Sequence, residues 1–112
     1  MLSRLTASQT ELEARELLKG AHDAGATPIA RCALGQRSSV HGTITSVTLR
    51  PRGGAPALEA ELYDGSDKLL LVWLGRRRIA GIVPGRRLSA HGRVTFQNGH
   101  HVMFNPSYEL HQ

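Results

Sequence analysis

The stretch Lys68-Leu69-Leu70-Leu71-Val72-Trp73-Leu74, then Gly75-Arg76-Arg77-Arg78-Ile79-Ala80-Gly81-Ile82-Val83, then Pro84-Gly85, decides the reading of the fold. The first seven residues, a lysine followed by six apolar residues after a turn, read as a strand. Residues 76–83 suit one or two helical turns, which Pro84-Gly85 closes. Beyond them Leu88, Ala90, Val94 and Phe96 alternate with Arg87, Ser89, His91, Arg93 and Thr95, as a half-buried strand requires. Asn98-Gly99 is a strong two-residue hairpin signal, so His101 to Phe104 returns as the next strand and Asn105-Pro106 ends it.

Working backward, Asp64-Gly65-Ser66-Asp67 is a tight turn, and Leu58, Ala60 and Leu62 alternate with Glu59, Glu61 and Tyr63 before it. The loop 50–56 precedes that strand. Val40 to Leu49 is β-branched and alternating, but its parity breaks between Ile44 and Val47, which predicts a long strand bent at a bulge. The order is a three-strand meander, a short helix and a hairpin. It predicts a mainly β chain, a five-stranded OB-fold Greek-key barrel with a short helix between strands three and four. An SH3-like barrel, the rival, lacks that helical segment. Leu58, Leu62, Ile44, Leu88, Val94 and Val102 are the expected common core.

An extra helix is expected over residues 1–25. Ser8 to Glu11 and Thr10 to Glu13 fit capping boxes, with glutamates then in the first turn. Ala14, Leu17, Leu18 and Ala21 form a thin apolar stripe, and Gly25 and Pro28 stop the helix. The stripe is expected to cover the outward row Leu70, Val72 and Leu74 of the third strand. The register of Trp73 depends on the turn before it. A two-residue turn at Gly65-Ser66 pairs Leu62 with Leu69 and sends Trp73 inward, the reading adopted, whereas a three- or five-residue loop turns it outward.

With 112 residues, 40% of them hydrophobic, the chain reads as one domain, with the barrel at 35–110, and global disorder is excluded. Cys32 is the one cysteine, which fits a reducing compartment. The longest apolar run, Leu69 to Leu74, is too short to span a bilayer, and Glu11, Glu13 and Glu16 interrupt any signal-peptide core. A cytoplasmic protein is expected.

The net charge of +5 is unevenly placed: residues 1–30 sum to −1 and residues 31–112 to +6. No acid lies between Lys68 and Tyr108. Such asymmetry is an electrostatic footprint of nucleic-acid binders, and equally of a merely solvated surface. Gly35 to Gly42 and Gly85 to Gly92 also echo one another, agreeing at five of eight places. Each echo introduces a strand that has to curve, and no repeat period exists.

Val40-His41-Gly42-Thr43-Ile44, Leu62-Tyr63-Asp64-Gly65-Ser66, Leu71-Val72-Trp73-Leu74-Gly75 and Asn105-Pro106-Ser107-Tyr108-Glu109-Leu110 resemble small actinobacterial OB-fold nucleic-acid-binding proteins. More distantly they resemble the wedge domain of the RecG helicase. The resemblance covers residues 35–110 and implies a barrel with a nucleic-acid role. It transfers no catalytic motif.

An OB-fold ligand usually lies on strands two and three, between the first and last hairpin loops. Arg50 and Arg52 beside Gly53-Gly54, Lys68, the triplet Arg76, Arg77 and Arg78, Arg93, and His100 and His101 are therefore the candidate contacts, with arginine suited to phosphate by its planar fork. Glu59 and Glu61 point out of the second strand and would repel phosphate, and aromatics make up only 4% of the chain. His41, His91, His100 and His101 lack partners at recognised metal spacing, and no nucleophile motif is present. The expected function is non-catalytic nucleic-acid binding without cofactor or metal, with single-stranded or junction-containing DNA ahead of RNA. A protein-interaction module, or self-association through the N-terminal helix, is the alternative.

Overall fold

The computed structural model describes residues 2–112, with side chains from residue 8 onward. Its central element is β1 (Arg37–Leu49), which pairs antiparallel along its first half with β4 (Arg87–Gln97) and along its second half with β2 (Ala57–Tyr63). A register shift between Ile44 and Ser46 bends it, where the sequence pattern loses parity. β2 pairs with β3 (Lys68–Leu74), and β3 runs parallel to β5 (His100–Phe104). β5 forms a hairpin with β4, and β6 (Ser107–His111) adds to β4. The six-stranded sheet thus has the order β1-β2-β3-β5-β4-β6, with the β1–β4 pairing returning its first five strands on themselves. The architecture resembles an OB-fold domain.

Two glycines, Gly42 in β1 and Gly92 in β4, sit where neighbouring strands approach most closely. A β-carbon at Gly42 would collide with the carbonyl of Tyr63, and one at Gly92 would press within 2.9 Å of Met103. Only a residue without a side chain admits that approach. Both belong to the sequence echo, and the two copies of it are paired with each other. Val40 lies opposite Ala90, Ser39 opposite His91 and His41 opposite Ser89. The pairing is reciprocal, each histidine meeting the serine of the other copy: Ser39 Oγ to His91 Nδ1 is 2.7 Å, and His41 Nδ1 to Ser89 Oγ is 2.8 Å.

The core holds Ile44, Leu58, Leu62, Leu69, Leu71, Trp73, Leu88, Val94 and Met103. Leu62 faces Leu69 and Leu58 faces Trp73, the register of a two-residue turn. Trp73 is accordingly buried, and its indole N–H donates to the Pro106 carbonyl at 3.2 Å.

Several expectations are corrected. Residues 76–83 form no helix; positive φ at Gly75, Gly81 and Gly85 breaks them into an irregular loop with a single turn from Ile79 to Ile82. The barrel reading had five strands, and the chain after Pro106 forms a sixth. Val102 is buried, but with Ala57 and Val72 on the opposite face, because Asn98-Gly99 sets Val94 against Met103 and leaves Val102 opposite Thr95. The helix α1 (Leu2–Asp23) begins upstream of both proposed capping boxes, so Ser8 and Thr10 are mid-helical and its first turn carries no acid. Nor does its stripe cover β3. Leu17 faces β1 at His41 to Thr43, while Ala14 and Leu18 press on Gly65 in the β2–β3 turn. Val72 is covered instead by Val102, Leu70 and Phe104, and Leu74 is exposed. Among the described residues no helix is long and apolar enough to cross a membrane.

Asp64 fastens the segment after α1 to this sheet. Its fully buried carboxylate accepts from Ile29 N at 2.8 Å, Ser66 N at 2.8 Å, Ser66 Oγ at 2.6 Å and Asp67 N at 3.2 Å. Replacing Asp64 by Ala strands these donors and should lower the unfolding free energy by about 1–3 kcal/mol or more in urea melts. A loss below about 0.5 kcal/mol, typical of surface positions, would mean the clamp is dispensable.

His41 offers a second test. Burial, followed by the neighbouring His111 and Arg87, pushes its imidazole below the ordinary value. The unfolded chain therefore takes up the proton first, so this contribution is present above about pH 6.5 and is lost as pH falls through the folded value. The His41→Gln variant should show a flatter decline in stability below about pH 6.5 than the wild type. Superimposable pH profiles would remove His41 from the linkage.

Candidate nucleic-acid interface

The outward face of β2 and β3 is concave. With the ends of β1 and β5 it forms a groove of about 510 Å³, between the β1–β2 loop and the β4–β5 hairpin. The loop tip is a small hairpin of its own, closed by an Arg52–Ala55 bridge with Gly53 and Gly54 at positive φ. The opposite wall is the Asn98-Gly99 turn, both of whose residues have positive φ, as the twist of a tight hairpin demands.

Of the predicted contacts, Arg50, Arg52, Lys68, His100 and His101 line this one groove. Arg76, Arg77 and Arg78 do not. They project into solvent from the loop after β3. Arg93 is also elsewhere, on the outer face of β4, where its guanidinium donates to the Gly35 carbonyl. Ser46, Thr48 and Gln97 line the groove too and were missed. The first two follow from the bulge, because the shifted register sets Ser46 beside Glu61 and Thr48 beside Glu59.

The groove's charges are largely paired. Glu59 is buried, and Arg52 grips it with Nε at 3.1 Å and Nη2 at 3.0 Å from the same oxygen, while the guanidinium lies 5.4 Å over the ring of Phe104. Arg50 approaches Glu59 at 3.8 Å, Lys68 approaches Glu61 at 3.7 Å, and His101 lies 3.6 Å from Asp67. Glu59 and Glu61 are thus partners of the basic residues and not free repulsive charges. Phe96, half exposed, stands edge-on to His101 at the rim.

Burial pushes the Cys32 thiol up, with the Asp64 carboxylate adding to it, which is the opposite of a reactive thiolate. Among the described residues no three His, Cys, Asp or Glu side chains gather in a way that could hold a metal ion.

Compared with protein-family models and with curated proteins, the sequence has no match. Solved structures do match. The fold is similar to the HINb domain of p204. The TM-score is 0.60 at 17% identity, over 77% of this chain and 47% of that one, so this chain spans about half the length of its structural neighbour. At that identity the likeness is one of fold.

The Arg52 cage is testable. In the Glu59→Ala variant, exchange of the Arg52 Nε–H with water should accelerate and its signal broaden in arginine-selective NMR spectra, since the acceptor is gone and the ring contact alone is weak. An unchanged signal would assign the ordering of Arg52 to Phe104.

Proposed function

We propose that this protein is a non-catalytic nucleic-acid-binding module built on an OB barrel, and that single-stranded or junction-containing DNA lies in the groove over β2 and β3. The observation that carries the proposal is the convergence of Arg50, Arg52, Lys68, His100 and His101 on one open groove between two hairpin loops. Likeness of fold to the HINb domain and the resemblance of residues 35–110 to small OB-fold nucleic-acid-binding proteins support it.

In this reading the groove orients the strand through directed contacts. Arg52, fixed by Glu59 and Phe104, presents the rest of its fork to a phosphate, and Arg50 and Lys68 trade carboxylate contacts for phosphate ones. Thr48, Gln97 and Asn98 supply neutral donors and acceptors for base edges. Aromatic stacking is limited to Phe96 at the rim and the Arg52-covered face of Phe104. The carboxylates favour a second reading, in which a protein segment carrying its own basic residues occupies the groove.

Fluorescence anisotropy with labelled single-stranded and duplex oligonucleotides tests both. Affinity should fall with salt, at a log–log slope near −0.7 for each phosphate neutralised on a single strand. Replacing Arg50 and Arg52 together by Ala should weaken all sequences alike and make that slope shallower by about one to two units. The Glu61→Gln variant should bind more tightly. Wild-type protein that binds no oligonucleotide at low salt would overturn the nucleic-acid reading in favour of the protein-segment one.

A further inference from the structure

On the far side of the strand circuit from the groove, the outward face of β1, β4 and β6 carries basic residues of a different kind. Arg37 and Arg93 lie directly opposite each other on adjacent antiparallel strands. Like charges in that position repel and destabilise the pair. No carboxylate relieves them: among the described residues, the ion pairs of arginine and lysine all involve Arg50, Arg52 or Lys68. Six residues along β4, Arg87 lies opposite His111 of β6 and is likewise without a carboxylate partner. At about 3.3 Å per residue Arg87 is roughly 20 Å from the Arg37–Arg93 pair along one strand face.

The strand side chains between them are polar. Ser39 with His91 and His41 with Ser89 fill the outward positions, and Ser89 Oγ also meets His111 Nε2 at 2.9 Å. The acids facing this surface are Glu109, which is tied to His91 Nε2 at 2.8 Å, and Glu16 of α1, in the crevice beside Arg87. The strand residues between these arginines present no apolar side chain outward, and Leu17 of α1, which faces His41 to Thr43, is half-buried there, so the face offers little to insert into a lipid surface.

We propose that this face is a second anion-binding surface that takes the phosphodiester backbone of a nucleic acid. The proposal rests on the nucleic-acid reading above, but on residues that the groove does not share. An extended polyanion with regularly spaced charges relieves the Arg37–Arg93 repulsion at one end and reaches Arg87 at the other, passing over a seam whose serines and histidines are already hydrogen-bonded to one another. The two surfaces divide the work. The groove presents neutralised, oriented charges, and this face presents unneutralised ones that supply long-range attraction. A strand held on both sides of the circuit would have to bend around the molecule, or two strands of a branched substrate would occupy one surface each.

The test compares four variants with the wild type by anisotropy, using labelled single-stranded, duplex and forked oligonucleotides across a salt series. The variant Arg37→Gln/Arg93→Gln should lose roughly threefold to tenfold in affinity at low salt and show a slope shallower by about one to one and a half units. Arg37→Lys/Arg93→Lys, which keeps the charge, should retain the wild-type slope. Because Arg93 also donates to the Gly35 carbonyl, Arg37→Gln alone is measured too, and it should show about half of the effect in a chain whose thermal melt is unchanged. A glutamine pair with wild-type affinity and slope, alongside an Arg50→Ala/Arg52→Ala variant that binds weakly, overturns this face and leaves the groove intact. The converse pattern overturns the groove and supports the face. Loss of binding to anionic vesicles in the glutamine pair, with oligonucleotide affinity unchanged, assigns the face to lipid headgroups and overturns the proposal.

Discussion

β1 has to serve two partners at once, and the rest of the molecule is arranged around that demand. A thirteen-residue strand cannot stay flat while its first half pairs with β4 and its second half with β2. The bulge after Ile44 bends it, and Gly42 lets the Tyr63 backbone come close enough for the turn to be made. Those two local features fix what each half presents outward. Before the bend it is the serine–histidine seam with β4; after it, Ser46 and Thr48 beside Glu61 and Glu59 on the groove side. The groove and the basic outer face are therefore the products of one bent strand.

Much of this was legible along the chain because the signals were local. The parity break located the bulge, and Asn98-Gly99 fixed one hairpin. The two-residue turn at Gly65-Ser66 gave the register that buries Trp73. The misreadings came where a distant partner or backbone geometry decided the outcome. Pro106 reads as a stop, yet the chain only turns there, through Asn105 at positive φ, and β6 forms because the edge of β4 is open to it. Ile79 and Ile82 sit at helical spacing, but each inserts into the core from an irregular loop whose glycines rule out a continuous helix. Val102 looks as good a core residue as Met103, and only consistent counting through the tight turn separates them. Of the site, the two hairpin loops could be read directly. The partnership of Glu59 with Arg52 could not, because it joins a loop to a strand face through a curvature that the sequence does not display.

Net charge is a poor guide to where a basic protein holds a ligand. The groove holds Arg50, Arg52 and Lys68, which carboxylates offset, whereas the arginines that dominate the overall charge lie on the β1–β4–β6 face and in the loop after β3. Attraction at a distance follows uncompensated charge, and recognition at contact follows oriented hydrogen-bonding groups. Here the carboxylate-paired basic residues and the uncompensated arginines sit on different surfaces.

The caged Arg52 also sets the flexibility of the groove. Immobilising a long side chain on binding costs about 0.5–1.5 kcal/mol. For Arg52 most of that ordering already takes place on folding, in the grip of Glu59 and Phe104, and only 32% of its side chain is exposed. Arg50, on the same loop with 67% exposed and a longer contact, keeps more of its freedom. One guanidinium is a fixed reference point in the groove wall, and the other is a tether whose reach is still adjustable.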